Sequence, residues 1–598
     1  MLEALLRLLG VPGPRVPRGL EARVAAYRDR LAGLRVLVVL DNAADSEQVQ
    51  PLVADSPGSL TLVTSRRAAR RAGGRGPGRG GRLHSAGRRR LSRSRRARGR
   101  DRADARALAR IAEQYGFLPL ALGVVAGHIR AQPGWTLTDH ADRLDVRHDE
   151  RRLDSAVELS LDLSYRHLPR AEQQLLRQLA LHPGQDFDGY AAAALSAYEM
   201  GLVRRHLRKL SDDNLLQCLA PGRYTFHDLV RAYAAARADD EEPPSGQRAA
   251  LTRLFDNYLA TAASAADTVY PDDVYRRPRI AAPGTPMPEF DSPDTALAWL
   301  ETERPNLVAI AGHTLAHGWL THTTRLSGTL KNYLDSGHFT DALTVHGQAI
   351  RAAAATGDQH RHASALASSG IAYLRLARYE AAADYFRQAL VVARRAGEHR
   401  IEASARGNLA LVEQTLSRFR EANEHKEQAL ALYRQAGDRI GEAAGLVGLA
   451  DIAIKLGRFV PAEDHLQQAL TLFRQIGHRR GEAWARDSFG TLHTHLGRRD
   501  LAVEHHQQAL AIFRAAADHE GETSALIGLG EAARAADNLP DALTHHTGAL
   551  SIAVEIGDRF LQARAHTSLG HDHYAVGDTV RAQRHYRAAA ALNSGLDP

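Results

Sequence analysis

The sequence predicts a mainly α chain in three parts: a partial α/β segment at the amino end, a helical domain closed by a β-hairpin, and a long α-solenoid. Three observations predict it. Two short apolar runs end in polar residues before residue 66, a Pro-Gly turn separates two strand-like runs within residues 215–228, and a 40-residue repeat fills the second half. At 598 residues the chain is long enough for several domains of ~150 residues.

At the amino end, Leu20 to Leu34 has a helical pattern and leads into Arg35–Asn42, RVLVVLDN, a continuous apolar strand that ends in an acid. A buried strand delivering a carboxylate at its carboxyl end is what Mg²⁺ beside a nucleotide needs, and Asp41 holds that place. A second buried strand, Leu60 to Val63, runs into Thr64-Ser65-Arg66, where a guanidinium can sense phosphate. From Arg66 to Arg102 there are sixteen Arg, no Lys and one acid, Asp101, and the only apolar residues larger than alanine are Leu83 and Leu91, apart from a single proline. No buried element fits such a stretch. It reads as disordered, with the composition that GC-rich codons give when translated out of frame; a genuine polybasic arm is the other reading.

Beyond it, Gly116-Phe117-Leu118-Pro119-Leu120-Ala121-Leu122 places a proline turn before an apolar helix. Ser155 to Asp240 reads as helices, then a hairpin of Leu215–Ala220 and Arg223–Asp228 about Pro221-Gly222, then a helix from Leu229 to Ala236. That order suits a winged-helix domain, and it carries the pair His227-Asp228. A charged Pro/Gly linker at Asp239–Gly246 precedes a helical connector, in which an irregular loop from Tyr270 to Pro293 leads to a helix over Ala296–Glu303.

In the second half the triplet Gln-Ala-Leu recurs every 40 residues, centred on Ala349 (as Gln-Ala-Ile), Ala389, Ala429, Ala469, Ala509 and Ala549 (as Gly-Ala-Leu), with Ala589 in a degenerate last unit. A second column lies at Ala342, Ala382, Ala422, Ala462, Ala502, Ala542 and Ala582, and a third, of small residues, at Gly370, Ala410, Ala450, Gly490, Gly530 and Gly570. Small residues at such spacing let the two helices of a hairpin approach closely while larger ones fill the space against the next hairpin. These units resemble tetratricopeptide repeats: Leu569-Gly570, the two alanine columns, and an aromatic such as Phe386 or Tyr586 between them carry the likeness over roughly residues 323 to 592. The family's closing proline is absent. The second helix instead runs on to Gly357, Gly397, Gly437, Gly477 or Gly557, and Asp358, Asp438 or Asp558 can start the next one. Ala517 replaces that glycine in one unit, so a less well-defined helix end is expected there. A histidine column, His425, His465, His505, His545 and His585, is expected to pack in grooves between repeats, because equivalent positions on stacked helices lie roughly 8–10 Å apart and one ion cannot bridge them.

The order of the amino-terminal motifs resembles the NB-ARC branch of the STAND signal-transduction ATPases: an acid-ended strand of Walker B type, an arginine-ended strand, a Gly-Leu-Pro-Leu-like turn and a His-Asp pair. With the array behind them, and phrases such as Leu181-His182-Pro183-Gly184, the chain is similar to the carboxyl-terminal portion of actinobacterial antibiotic-pathway regulators. The resemblance implies ADP or ATP with Mg²⁺ as cofactors. Asp41 would hold Mg²⁺ through water, Arg66 would sense phosphate, Pro119 would contact the adenine side, and His227, with Asp228 beside it, would touch the β-phosphate of ADP. It also divides the chain into a partial nucleotide-binding domain (1–65), the Arg/Gly-rich segment (66–104), a helical domain (105–150), a winged-helix-like domain (151–240), a connector (241–320) and about seven repeats (321–598).

One part of the family's machinery is missing. A P-loop needs Gly-Lys followed by Ser or Thr. The four lysines, Lys209, Lys331, Lys426 and Lys455, follow Arg208, Leu330, His425 and Ile454, so this chain holds no such loop. In the family the loop precedes the Walker B strand, and the expectation is that it was lost before Met1, together with any amino-terminal DNA-binding domain. Nucleotide binding should then be impaired.

Composition narrows the function further. The net charge of +8 belongs to the Arg66–Arg102 stretch, which carries +15, while the rest of the chain carries −7 and gives no general footprint for DNA. One cysteine, Cys218, excludes an internal disulfide and zinc sites that need several thiolates. No apolar run approaches the ~20 residues that span a bilayer, and the amino terminus lacks a signal-peptide pattern, so the expectation is a cytoplasmic protein with no membrane partner. No catalytic elbow or metal-ligand cluster stands out. The readings that remain are a regulator in which an ADP/ATP module is coupled to a partner-sensing array, an interaction scaffold without nucleotide, and nucleic-acid binding through the arginine stretch or the winged helix. The expected partner is a protein or peptide on the concave face of the array, with DNA a partner only through an upstream domain or a genuine arginine arm. In the family resembled, the winged helix packs on the nucleotide domain rather than on DNA.

Overall fold

The computed structural model describes Leu6, residues 20–31, residues 37–43, Leu52, residues 60–65 and residues 156–593. Its contacts divide the chain into two units, Met1–His182 with Asp186–Arg248, and Pro183–Gln185 with Ala249–Pro598.

In the first unit, helix α1 (Leu20–Leu31) buries Tyr27 and Leu31. Strands β1 (Leu37–Ala43) and β2 (Leu60–Ser65) pair in parallel from Leu37↔Leu60 to Leu40↔Val63. After α2 (Ala156–His167) come α3 (Arg170–Ala180), β3 (Asp186–Asp188), α4 (Gly189–Ser196), α5 (Met200–Asp212), β4 (Gln217–Ala220), β5 (Arg223–Thr225) and α6 (Asp228–Glu241). The three strands form an antiparallel sheet in the order β3–β5–β4. Leu175, Leu176 and Leu179 of α3 and Val203, Leu207 and Leu210 of α5 recur at helical spacing and are fully buried, so each helix turns one stripe inward. The hairpin's second strand stops at Thr225, three residues before the sequence-based end. Phe226 turns into the core and His227 leaves the ladder to cap α6.

Helix α7 (Pro244–Val269) belongs to the second unit from Ala249 on. A 3₁₀ turn (Pro271–Arg276) and an irregular stretch lead to α8 (Pro293–Ala316). The helix runs beyond the segment Ala296–Glu303 named from the sequence and continues through Pro305. The missing N–H there is outweighed by buried Leu307, Ile310 and Ala311 and by Glu303, which accepts from Tyr258 Oη at 3.0 Å and Asn306 Nδ2 at 2.7 Å.

Seven helix pairs follow: α9 (Leu320–Asp335) and α10 (Phe339–Thr356), α11 (Gln359–Arg375) and α12 (Tyr379–Ala396), α13 (His399–Thr415) and α14 (Phe419–Gln435), α15 (Arg439–Lys455) and α16 (Phe459–Gln475), α17 (Arg479–His495) and α18 (Arg499–Ala515), α19 (His519–Ala535) and α20 (Leu539–Glu555), and α21 (Arg559–Ala575) and α22 (Thr579–Asn593). A positive φ recurs every 20 residues from Gly337 to Gly577, thirteen times, so the turn within each pair and the turn between pairs use the same left-handed residue. Glycine marks only one of these two columns clearly in the sequence, because the other holds Ala377, Ser417 and Asp537 as well.

Ala517 corrects one expectation. It adopts φ 49°, and the bonds Ala517 N–H to Arg514 O (3.2 Å) and Asp518 N–H to Phe513 O (2.9 Å) repeat those at Gly477, so the helix end is as regular as its neighbours. The alanine instead carries strain. Ala517→Gly should therefore raise stability, by about 0.5–1 kcal/mol after the glycine's extra unfolded-state entropy is counted. Equilibrium denaturation checks this, and a loss of stability would refute it.

The small-residue columns have a packing cause. A Cβ on Gly370 would lie 2.5 Å from the ring of Phe386, and the same close approach joins Gly490 to His506, Gly530 to His546 and Gly570 to Tyr586. Where the residue sixteen positions on is not a ring, Lys426 or Leu466, the small residue is Ala410 or Ala450. A second column follows the same rule. Gly441, Gly481 and Gly521 face Tyr433, Phe473 and Phe513, whereas Ala353, Ala393 and Ala553 are matched eight residues later by Arg361, Ile401 and Leu561.

The array winds until its first repeats meet its last. Leu374, Ala377 and Tyr379 share one core with Ala553, Phe560 and Leu561, Tyr379 Oη donates to Asn593 Oδ1 at 2.9 Å, and Arg375 pairs with Glu520 (2.5 Å) and Asp558 (3.4 Å). The 3₁₀ turn is held to the array by Asn332–Asp273 (2.9 Å) and Arg276–Asp438 (3.4 Å).

Candidate functional site

The parallel pairing of β1 and β2 puts both carboxyl ends at one edge, so the backbone of Asp41 lies beside the end of β2, where Arg66 follows. An open parallel sheet binds ligands beyond that edge. The side chain of Asp41, and all of Arg66 and Pro119, lie outside the described residues, as do the Arg/Gly-rich stretch and the Gly-Leu-Pro-Leu-like turn.

His227 and Asp228 are described. His227 caps α6, its Nδ1 accepting from Leu229 N–H at 3.3 Å, and Asp228 opens the first turn with its side chain exposed. A neutral ring that accepts at Nδ1 carries its proton on Nε2, which makes that nitrogen a donor. The start of α6 is held by two clusters. Phe187 packs on Tyr224 and Phe226, and Arg231 donates to His182 O. Further along α6, Tyr233 Oη donates to Asp162 (3.1 Å), which also pairs with Arg237 (3.0 Å), and Arg177 pairs with Glu241 (2.9 Å) and Glu242 (2.6 Å). Burial pushes the phenols of Tyr165 and Tyr233 up, Tyr165 to about 12.

In the array, the aromatic slot between the two alanine columns is filled by His346, Phe386, Lys426, Leu466, His506, His546 and Tyr586. Its histidines build a buried polar line that the sequence reading passed over. His506 Nδ1 lies 2.7 Å from Asp487, which also accepts from Ser524 at 3.0 Å, and His546 Nδ1 lies 2.5 Å from Asp572. The sequence signal was histidine standing where Phe386 and Tyr586 stand.

The neighbouring histidine column packs between the two helices of a pair rather than in the expected grooves between repeats. His505 of α18 stacks on Phe489 (5.2 Å) and His493 (5.3 Å) of α17, and His585 of α22 on His573 (5.3 Å) of α21. Burial lowers the pKa of His425, His545 and His585, and burial with the neighbouring His493 brings His505 to about 4. Burial likewise holds His313 and His346 at about 4. These rings are neutral when folded but take a proton near pH 6.5 when unfolded, so stability is complete above that pH and falls as the pH drops toward 4. Asp558 works against this, since burial raises its carboxyl to about 6 and the folded state takes up its proton first. The histidines outnumber it, and the melting temperature should fall between pH 6.5 and pH 5. A flat profile by circular dichroism over that window would contradict the assignment.

Among the described residues no group of three or more His, Cys, Asp or Glu is placed to hold a metal ion, and no helix is long and apolar enough to cross a membrane.

Tetratricopeptide-repeat family models match residues 441–515 and 365–400, within the stacked helix pairs. The array is built of tetratricopeptide repeats. Two curated relatives are each described as regulatory protein AfsR. That of Streptomyces griseus is 34% identical over 375 residues, 59% of this chain and 37% of that protein. That of Streptomyces coelicolor is 36% identical over 359 residues, 56% of this chain and 35% of that protein. The chain therefore spans little more than a third of the length of these relatives. Among solved structures, a STAND protein with a tetratricopeptide repeat sensor from Pyrococcus horikoshii aligns with 99% of this chain and 86% of its own, at 15% identity and a TM-score of 0.39. The likeness to actinobacterial regulators, read from the motifs together with the array, is matched by the two Streptomyces relatives.

Proposed function

We propose that this chain is a STAND-type regulatory protein in which the tetratricopeptide array recognises a protein or peptide partner and an ADP/ATP module responds to it. The observation that carries this reading is the uninterrupted run of seven helix pairs in a chain similar to two regulatory proteins. Stacked helical hairpins offer an extended surface suited to recognition rather than to chemistry. A regulatory module would then act by differential affinity for two states.

The residues fit a nucleotide only in part. The Nε2 donor of His227, beside the first turn of α6, suits a phosphate oxygen, and Asp41 at the end of a parallel strand suits Mg²⁺. The 598 residues include no Gly-Lys-Ser/Thr loop to cradle phosphates, so their own affinity for a nucleotide should be weak. That absence favours a second reading, a tetratricopeptide scaffold without nucleotide.

Calorimetric titration of the 598-residue protein with ADP and with Mg-ATP, repeated on an Asp41→Ala, His227→Ala double variant, separates the two. Binding that disappears in the variant supports the nucleotide-coupled regulator. No heat of binding from a folded protein would leave the scaffold.

A further inference from the structure

The basic residues of α5 stand apart by their clustering. In the array Arg394, Arg434, Arg474 and Arg514 pair at 2.7–3.1 Å with Glu402, Glu442, Glu482 and Glu522, and arginines left exposed without an ion pair among the described residues, such as Arg351, Arg395 and Arg458, stand at different helices. In α5, Arg204, Arg205, Arg208 and Lys209 are all exposed, and none of them forms an ion pair among the described residues. Arg208 Nε donates only to the carbonyl of Arg204, at 3.2 Å.

Positions i, i+1, i+4 and i+5 share one helix face. The opposite face is committed to the core by Val203, Leu207 and Leu210, and His206 turns sideways to Glu172 at 3.0 Å. Along the chain the acids nearest α5 are Glu199 before it and Asp212 and Asp213 at its end, and Glu172 of α3 is engaged by His206. Four like charges within two turns destabilise a helix, so an unmatched basic face calls for an anion from outside.

The surroundings say which anion. Helix α4 and α5 are joined by a tight turn through Ala197 at φ 58°, and the β4–β5 hairpin, with Gly222 at φ 79° at its tip, follows α5. All four residues of β4 are exposed, including Leu219 at 58%. This is a two-helix turn whose second helix presents cations, followed by an exposed wing. A helix of this kind fits the major groove of B-form DNA, about 12 Å wide, whereas the deep, narrow major groove of an RNA duplex excludes it.

We propose that, in departure from the family resembled, in which the winged helix packs on the nucleotide domain, α5 is the DNA-facing helix of a winged-helix-like domain, with Arg204, Arg205, Arg208 and Lys209 contacting the phosphates and groove of duplex DNA. The interaction needs neither a nucleotide nor the array.

The arginine stretch at residues 66–102 would also bind DNA, so the test must resolve position. Lysine acetylation does so, because Lys209, Lys331 and Lys455 can be followed separately by mass spectrometry. The probe is a fluorescein-labelled mixed-sequence 24-base-pair DNA duplex, bound to the full chain as judged by anisotropy. Acetylation of Lys209 should fall severalfold on binding, while Lys331 and Lys455 react as in the free protein. An Arg204→Ala, Arg205→Ala, Arg208→Ala variant removes only exposed side chains and like-charge repulsion, and should melt at or above the parent's temperature. It should lose the protection of Lys209, and its plot of log affinity against log salt should be shallower by about 2–3 units. Unchanged acetylation of Lys209 in the bound complex would overturn the proposal, and so would equal protection by an RNA duplex of the same length.

Discussion

Replacing Arg375 with alanine is expected to destabilise the repeat array by about 2–4 kcal/mol. The guanidinium is held between Glu520 at 2.5 Å and Asp558 at 3.4 Å, on the line where the first repeats meet the last. Removing one partner of a fully buried pair costs about 3–5 kcal/mol, because the remaining charge is stranded. Asp558 is buried, with 2% of its side chain exposed, whereas Glu520 keeps 31%, so water screens part of the loss and the lower range applies. Glu520→Gln should therefore cost less than 1 kcal/mol. Adding Asp558→Asn to Arg375→Ala should return part of the loss, since an amide is cheaper to bury than a carboxylate. Denaturant unfolding of the three variants checks the set. A loss below 1 kcal/mol for Arg375→Ala would mean that the closure rests on the shared apolar core alone.

Gly521→Leu is expected to be similarly damaging alone and well tolerated in company. A Cβ at residue 521 would sit 2.2 Å from the Phe513 ring, so the leucine forces the ring out of a packed core, a strain of about 1–3 kcal/mol or more. Phe513→Ala alone opens a cavity and should cost about 3–5 kcal/mol. Together the two changes reproduce the combination found at Ala553 and Leu561, and the pair should be less destabilising than Phe513→Ala alone, with a coupling of about 2 kcal/mol or more. Simple additivity in a double-mutant cycle would refute the volume exchange.

Much of the architecture was legible because repetition makes a weak signal strong. A single Gly-or-Ala position says little, but three columns at 40-residue spacing placed the helix pairs, and the structure extends them only to Leu320 and Asn593. The short strands before residue 66 were legible from continuous apolar runs. Where the reading failed, a tertiary contact outweighed a local rule. The helix expected over Ala296–Glu303 runs on through Pro305, because the buried side chains beyond it hold α8 to Ala316. Ala517 looked like a poor helix end, but the neighbouring repeats impose the left-handed turn on it.

The candidate nucleotide residues were legible only as a motif order. The structure describes the cap made by His227 and the pairing of β1 with β2, and the side chains of Asp41, Arg66 and Pro119 lie outside the described residues. The basic face of α5 was written in the sequence as ordinary surface charge. Its meaning depends on which arginines find carboxylates, and sequence spacing does not show that.

The sequence by itself determined the helical repeat, its period and the matching of ring to glycine, because these are contacts between residues a fixed, short distance apart in the chain. Only the tertiary structure decided that Arg375 meets Glu520 and Asp558, that Tyr379 meets Asn593, and that the first repeats share a core with the last. Those contacts depend on small rotations added from repeat to repeat, and such sums leave no mark at any single position.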